Sequence, residues 1–227
     1  MAMEWRDLLF LHWPVAKGTL AATLPPGLEL DLFEGEAWLS VVPFMMEGVR
    51  PRGVPALPGI SAFAELNLRT YVVAKDKPGV WFYSLDAASR LAVRAARGLF
   101  HLPYFDARME CRLEDGDVVY RSERTHRGAP EARFAARYRG LGTPEPATSS
   151  LDRWLIERYC LYAARPDGRV LRGEIHHAPW PVQRAEVEVE ALHLTGLIGV
   201  ELPRVPPRLH FAKRLEVVAW LPERVGR

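Results

Sequence analysis

Short runs of alternating apolar and polar residues, separated by prolines and glycines, dominate the chain and predict mostly β-strands. We expect strands over residues 5–13, 28–33, 36–46, 62–73, 80–85, 105–113, 118–125, 132–138, 159–164, 170–177, 184–192 and 209–220. We expect three short helices, over residues 15–24, 87–99 and 150–157, the second with Asp86 as its N-cap. This pattern predicts a mainly β (α+β) fold, a closed antiparallel β-barrel with a few short helices packed outside.

Two connections carry specific expectations. Glu34 and Gly35 separate two of the predicted strands and are typical of a hairpin turn. Residues 47–60 contain three prolines and three glycines, so we expect an irregular segment there. A segment of this length is either a binding loop or lid, or a plain exposed linker, and its composition does not decide between them.

Length and composition narrow the function classes. A chain of 227 residues predicts one domain, over residues 1–227. The balance of 30 basic against 28 acidic residues gives no reason to expect a nucleic-acid partner. Two cysteines, no signal segment and no long apolar run predict a cytoplasmic protein without a membrane partner, and leave homo-oligomerisation open. The basic set is 26 Arg and 4 Lys, and Asn67 and Gln183 are the only amides, which favours a thermophilic source.

The most informative strand is Phe63 to Tyr71. Successive strand side chains point to opposite faces, so Glu65, Asn67, Arg69 and Tyr71 share one face and the other face is apolar. Flanking aromatic residues and the neighbouring strand, which contains Tyr83, favour a polar row that lines a ligand cavity. The alternatives are a solvent-facing strand with spaced ions, or a buried Glu65–Arg69 pair that stabilises the fold without any ligand.

Two further clusters supply candidate residues. Arg158 and Tyr162 share a face if a strand begins at Arg158, and the planar guanidinium suits a carboxylate ligand, although an internal ion pair explains it equally well. His176 and His177 precede Trp180, and either imidazole is a candidate acid–base group, with a structural histidine as the alternative. Adjacent strand histidines face opposite ways, so we expect no metal site. No phosphate loop, dinucleotide fingerprint or nucleophile elbow is present, and no cofactor is expected.

These clusters also carry a resemblance. Five motifs in order, at residues 63–71, 78–87, 102–104, 157–162 and 176–180, resemble the YqjF-like bacterial family, a domain of unknown function, and residues 11–13 and 24–28 match as well. The resemblance covers nearly the whole chain. It implies the fold of acetoacetate decarboxylase, a cone-shaped antiparallel β-barrel with a site in its interior.

The resemblance does not extend to the decarboxylase chemistry. That enzyme forms a Schiff base through a lysine activated by a second lysine, whereas here the matching region holds Ser84, Leu85 and Asp86. We therefore expect a cavity that binds a small carboxylate or carbonyl compound. Arg69 or Arg158 would hold the anion, and Glu65, His176 or His177 would move a proton, in a lysine-independent lyase or isomerase. The alternative is a non-catalytic small-molecule binding or sensing domain that uses Asn67, Arg69, Tyr71, Tyr83, Arg158, Tyr162 and Trp180 as ligand contacts.

Overall fold

A computed structural model describes residues 1–56 and 61–225. Its described residues form thirteen strands, three α-helices and one short 3-10 helix at Thr195–Leu197. The strands are β1 Ala2–Val15, β2 Glu29–Leu30, β3 Ala37–Arg50, β4 Phe63–Ala74, β5 Lys77–Ala87, β6 Tyr104–Glu114, β7 Asp117–Arg124, β8 Arg133–Pro146, β9 Cys160–Ala164, β10 Val170–His176, β11 Pro181–His193, β12 Arg208–Ala219 and β13 Glu223–Arg224. The helices are α1 Lys17–Ala21, α2 Arg90–Phe100 and α3 Ser150–Ile156. The mainly β prediction is confirmed.

All thirteen strands belong to one sheet, in the order β13-β10-β9-β5-β6-β7-β8-β11-β12-β1-β3-β4-β2. Two additional pairings, β4 with β5 and β10 with β12, connect strands that stand apart in this order. The pairings are antiparallel except that β5 runs parallel to both β6 and β9. The prediction of an entirely antiparallel sheet was therefore wrong at β5, because the chain returns from α2 to the C-terminal end of β5 and β6 continues in the same direction from there.

The central strands β1, β3 and β4 are buried on both faces, and this divides the core in two. The first core cluster includes Phe10, Phe44 and Trp180, and the second includes Leu11, Leu39 and Leu68. Alternation along each strand sends successive side chains to different clusters. A polar residue in the buried stretches 8–13, 37–44 and 63–72 of these strands therefore lies inside the protein on either face.

The structure corrects the start of the second helix. Ser89, not Asp86, caps α2, because its side chain accepts a hydrogen bond from the Ala92 backbone N–H. Asp86 lies inside β5 and is buried in an ion pair with Arg124, 2.8 Å between Oδ1 and Nη2. Desolvation raises the pKa of Asp86 to about 6 in spite of this arginine.

Two predicted connections also differ. Glu34 and Gly35 both have positive φ, as a tight turn requires, but the hairpin is reduced to one bridge between Phe33 and Glu36. The strand before this turn, β2, pairs with β4 instead. Residues 47–50 continue β3 and are regular, whereas 57–60 of the predicted irregular segment lie outside the described residues. Of the helices in the described ranges, none has the length and apolar character needed to cross a membrane.

Candidate functional site

The polar row of β4 lies inside the protein. Glu65, Asn67, Arg69 and Tyr71 are all nearly or fully inaccessible to solvent, and Phe63 and Tyr71 place this face in the first core cluster. The interpretation as a solvent-facing strand is therefore wrong. Each polar group on this face must find a partner within the protein or in a ligand.

Arg69 has few partners for a buried cation. Its side chain is 8% exposed, and its Nη2 atom lies 3.5 Å from the Leu155 carbonyl oxygen. Its guanidinium carbon lies 5.3 Å from the Phe10 ring centre and 5.9 Å from that of Tyr71. Its Nε atom is buried without a hydrogen-bond partner, and no carboxylate of the described residues lies within ion-pair distance. Burial lowers the pKa of Arg69, the direction expected for a cation removed from water.

A second guanidinium lies against the same tyrosine. Arg158 follows α3, and its guanidinium carbon lies 5.0 Å from the Tyr71 ring centre and 4.4 Å from that of Trp154. Its Nη1 atom is 2.5 Å from Asp31 Oδ2, and its Nε donates to the Trp154 carbonyl oxygen. The internal ion pair anticipated as an alternative is thus present, with Asp31. Arg69, Tyr71, Arg158 and Asp31 form one cluster, the Arg69 group. Among the described residues the carboxylate of Asp31 pairs with Arg158 and not with Arg69, so two buried arginines stand against one carboxylate and the group carries a net positive charge.

Glu65 forms a separate group on the same face. It accepts a hydrogen bond from the Tyr104 hydroxyl at 2.9 Å and interacts with the Asn67 side chain. Burial raises the pKa of Glu65 to about 8, so at neutral pH this carboxyl is largely protonated. The proposed Glu65–Arg69 ion pair is absent from the described residues, and that interpretation was wrong.

Sequence reasoning missed the polar residues that contact Tyr71 from β1 and β3. The Ser40 hydroxyl lies 2.6 Å from the Tyr71 hydroxyl and 2.6 Å from His12 Nδ1. Both residues are completely buried, and both interrupt otherwise apolar strand segments. A single polar residue within such a segment was the available signal, and His12 also lies in one of the motifs of the family resemblance.

The other sequence-predicted residues lie in three places. Trp180 contacts Phe10, at 5.0 Å between ring centres, and so borders the Arg69 group. Tyr83 packs in the second core cluster, with its hydroxyl 2.7 Å from that of Thr23. Tyr162 donates to the Lys77 carbonyl oxygen and packs in a third, small cluster. A bulge at Tyr83 in β5 and the parallel β5–β9 pairing separate these two tyrosines from Arg69.

The histidine pair lies at the edge of this region. The His177 ring is buried between Tyr159 and Trp180, with ring centres 4.6 and 5.2 Å away, and burial lowers its pKa. His176 is exposed, and both histidines border an open groove of about 600 Å³. The structure therefore brings together Arg69, Tyr71 and Arg158. Trp180 contacts His177 directly and is linked to Arg69 through Phe10, and the Asn67 side chain interacts with Glu65.

The buried atoms that lack partners in this region are mostly donors. Among the described residues they are Nε1 of Trp5, Trp38 and Trp180, Nε of Arg69 and Nη2 of Arg158, against one acceptor, Oδ1 of Asn67. An excess of unpaired donors beside two guanidinium groups matches a ligand rich in acceptor oxygens.

Comparison with known proteins gives the family. A family model for uncharacterized conserved proteins, DUF2071, matches residues 2–216. The chain belongs to the DUF2071 family. Its relatives include the uncharacterized protein YqjF of Bacillus subtilis (strain 168), 46% identical over 221 residues, which cover 97% of this chain and 90% of YqjF. The resemblance to the YqjF-like family is therefore confirmed.

Solved structures show the fold of this DUF2071 protein. Acetoacetate decarboxylase from Legionella pneumophila is similar with a TM-score of 0.61 and 13% identity, covering 100% of this chain and 88% of the enzyme. The enduracididine biosynthesis enzyme MppR, in complex with pyruvate, has a TM-score of 0.68 and 11% identity, covering 99% of this chain and 90% of MppR. The chain therefore has a fold similar to acetoacetate decarboxylase.

Proposed function

We propose that the Arg69 group binds a small carboxylate or carbonyl compound. The observation that carries this proposal is the buried guanidinium of Arg69. Its Nε has no hydrogen-bond partner, and no carboxylate of the described residues lies within ion-pair distance. A buried charge is costly unless it is paired, and a carboxylate ligand would supply both the charge and the acceptors. We propose further that the β4–β5 and β10–β12 pairings close the sheet into the expected barrel around this group.

The positions of the lysines favour a mechanism without a Schiff base. Lys17, Lys75 and Lys213 are exposed, and the half-exposed Lys77 is bound to Glu174 at 2.7 Å. A Schiff-base lysine needs a lowered pKa and contact with the substrate. A lysine buried beside Arg69 would meet both conditions, but none of the four lysines is buried. Glu65 is the stronger acid–base candidate, because a carboxyl that titrates near pH 8 can donate or accept a proton at neutral pH.

Entry of a ligand requires a rearrangement. Phe10, Tyr71 and Trp154 occupy the space beside the two guanidinium groups. Trp154 belongs to the short helix α3, is partly exposed and contacts both Arg158 and Tyr71, so we propose that its displacement admits the ligand. Binding would replace aromatic contacts of Arg69 with charge-assisted hydrogen bonds.

Calorimetric titration with pyruvate, acetoacetate and acetate tests the binding proposal. Pyruvate is the first probe because it is bound in the similar structure of MppR. We expect saturable binding that weakens at least about tenfold in Arg69→Met, the loss of one charge-assisted interaction. Arg94→Met, which removes an exposed guanidinium on α2, should bind like the unmodified protein. Equal affinity of both variants, or no binding of any probe at about 10 mM, would contradict the proposal.

A second candidate function is binding or sensing without catalysis. It is favoured by the contacts of Glu65, whose described partners are Tyr104 and Asn67 and not the Arg69 group. Deuterium incorporation into the methyl group of pyruvate in D₂O, followed by NMR, separates the two candidates. Incorporation that is lost in Glu65→Gln supports acid–base catalysis, whereas binding without incorporation supports the sensing function.

A further inference from the structure

A continuous chain of side chains leads from Tyr71 to the protein surface. The Tyr71 hydroxyl reaches His12 Nδ1 directly at 3.2 Å, and also through the Ser40 hydroxyl with two contacts of 2.6 Å. On its other side, His12 Nε2 lies 3.4 Å from His210 Nδ1. His210 Nε2 in turn lies 3.1 Å from Asp152 Oδ1.

Exposure changes along this chain in one direction. Tyr71, Ser40 and His12 are completely buried, and the side chains of His210 and Asp152 are 9% and 18% exposed. Asp152 lies in the first turn of α3, where the Ser149 hydroxyl accepts a hydrogen bond from its backbone N–H. Every link is therefore held by a regular element, β1, β3, β4, β12 or α3. The two outer side chains reach water, although the Asp152 Oδ1 atom that faces His210 is itself buried.

We propose that Tyr71, Ser40, His12, His210 and Asp152 form a proton relay between the Arg69 group and solvent. The proposal deepens the proposed function, because Tyr71 lies between the two guanidinium groups that would hold the ligand. When a ligand accepts the Tyr71 hydroxyl proton, the Tyr71 oxygen takes the proton of the Ser40 hydroxyl. Ser40 then takes the proton on His12 Nδ1. His12 Nε2 takes the proton from His210 Nδ1, and His210 Nε2 takes a proton that solvent delivers through the Asp152 carboxyl group. One proton enters at the surface and one leaves at Tyr71.

The electrostatic surroundings suit neutral imidazoles, which can accept a proton at one nitrogen and donate at the other. Burial lowers the pKa of His12 strongly, and the charges of His210, Arg69 and Arg208 lower it further. Burial also lowers the pKa of His210, against the opposing effect of Asp152. Arg208 Nε lies 3.8 Å from Asp152 Oδ1, so the outer end of the relay holds a cation beside the carboxyl group.

Solvent exchange of the His12 ring N–H in the unliganded protein tests the relay independently of any ligand. In protein labelled with ¹⁵N-histidine, we expect this buried proton to exchange faster than the neighbouring β1 backbone amides, because the relay gives it a path to water. His210→Phe, which keeps an aromatic ring and removes both nitrogens, should slow the exchange at least tenfold. The exchange rates of the β1 amides should stay unchanged. A variant that loosened the fold would accelerate them, whereas a variant that only breaks the relay would not.

Asp152→Asn provides a second variant that keeps side-chain size, and we expect it to slow the same exchange several-fold. An exchange rate of His12 in either folded variant equal to that of the unmodified protein would overturn the relay. The outcome is distinguishable from that of the proposed function, because pyruvate binding that depends on Arg69 is measured separately. Pyruvate binding that depends on Arg69, together with an unchanged His12 exchange rate in the variants, would support the anion site and refute the relay.

Discussion

Asn67 illustrates how one residue joins two groups of a site. It is the only asparagine of the chain and stands between Glu65 and Arg69 on β4. Its side chain interacts with the Glu65 carboxyl, while its Oδ1 atom is buried without a partner. An amide offers both donors and an acceptor, so it can contact the carboxyl and present an oxygen to a neighbouring group.

The raised pKa of Glu65 predicts a pH dependence of stability. Its pKa is raised from 4.5 to about 8, so the folded protein holds a proton that the unfolded chain releases between these values. The contribution of Glu65 to stability is therefore complete below about pH 4.5 and is lost as the pH rises towards 8. Between pH 5.5 and 8, we expect a loss of about 1–3 kcal/mol of unfolding free energy that is absent in Glu65→Gln.

Urea unfolding of both proteins at the two pH values measures this difference. Glu188→Gln, which changes an exposed carboxyl of β11, should keep the pH dependence of the unmodified protein. A Glu65→Gln variant with the same pH dependence as the unmodified protein would show that Glu65 is ionised in the fold.

At the scale of elements, the close approach of β5 and β9 determines where the segment that connects α3 to β9 lies. Cys160 donates to the Pro78 carbonyl oxygen, and Val80 pairs with Leu161 in parallel. A Cβ atom at Gly79 would lie 2.6 Å from Cys160 Sγ and 2.8 Å from the Cys160 carbonyl oxygen. The two strands can therefore approach only with glycine at position 79.

Gly79→Ala is expected to destabilise the protein by about 1–3 kcal/mol, because neighbouring backbone must shift to admit the methyl group. Gly98→Ala is a matched control within α2, where a Cβ would meet no atom within 4 Å. This variant should be neutral or stabilising by up to about 1 kcal/mol, since alanine favours helix. Chemical unfolding measures both. A Gly79→Ala variant as stable as the unmodified protein would refute the close-packing argument.

At the scale of the whole molecule, surface ion pairs connect neighbouring strands. Arg137 pairs with Asp117 and Arg139 with Glu186, at 2.7 Å in each case, across β7, β8 and β11. Such networks gain in relative value at high temperature, because the desolvation cost of charges falls. They accord with the composition that favours a thermophilic source.

We therefore expect a thermal unfolding midpoint above about 65 °C, the upper end of the usual range for mesophilic domains. Scanning calorimetry at low salt and at 1 M salt measures the midpoint and its dependence on screening. A midpoint near 50 °C in both conditions would contradict the thermophilic interpretation and would attribute the arginine excess to another cause.

Much of the strand pattern could be predicted from the sequence, and so could the interior position of the β4 row. The alternation along Phe63 to Tyr71 is local, and the aromatic residues at both ends indicated burial. Asp86 was misassigned because an acidic residue before a helix is a common N-cap, and its buried partner Arg124 lies 38 residues away. The sequence assigned Arg158 and Tyr71 to one predicted ligand site, but it did not predict the contact between their side chains.

The sequence by itself determined which side chains share a strand face, because backbone alternation depends only on neighbouring residues. It also determined the family, through motifs spread along the chain. Only the tertiary structure decided that His12 meets His210, since Phe10 pairs with His210 across β1 and β12, nearly 200 positions apart. It likewise decided that two buried arginines lie against Tyr71 and that Arg158, not Arg69, pairs with Asp31. Long-range strand pairing brings these groups together, and no local pattern encodes it.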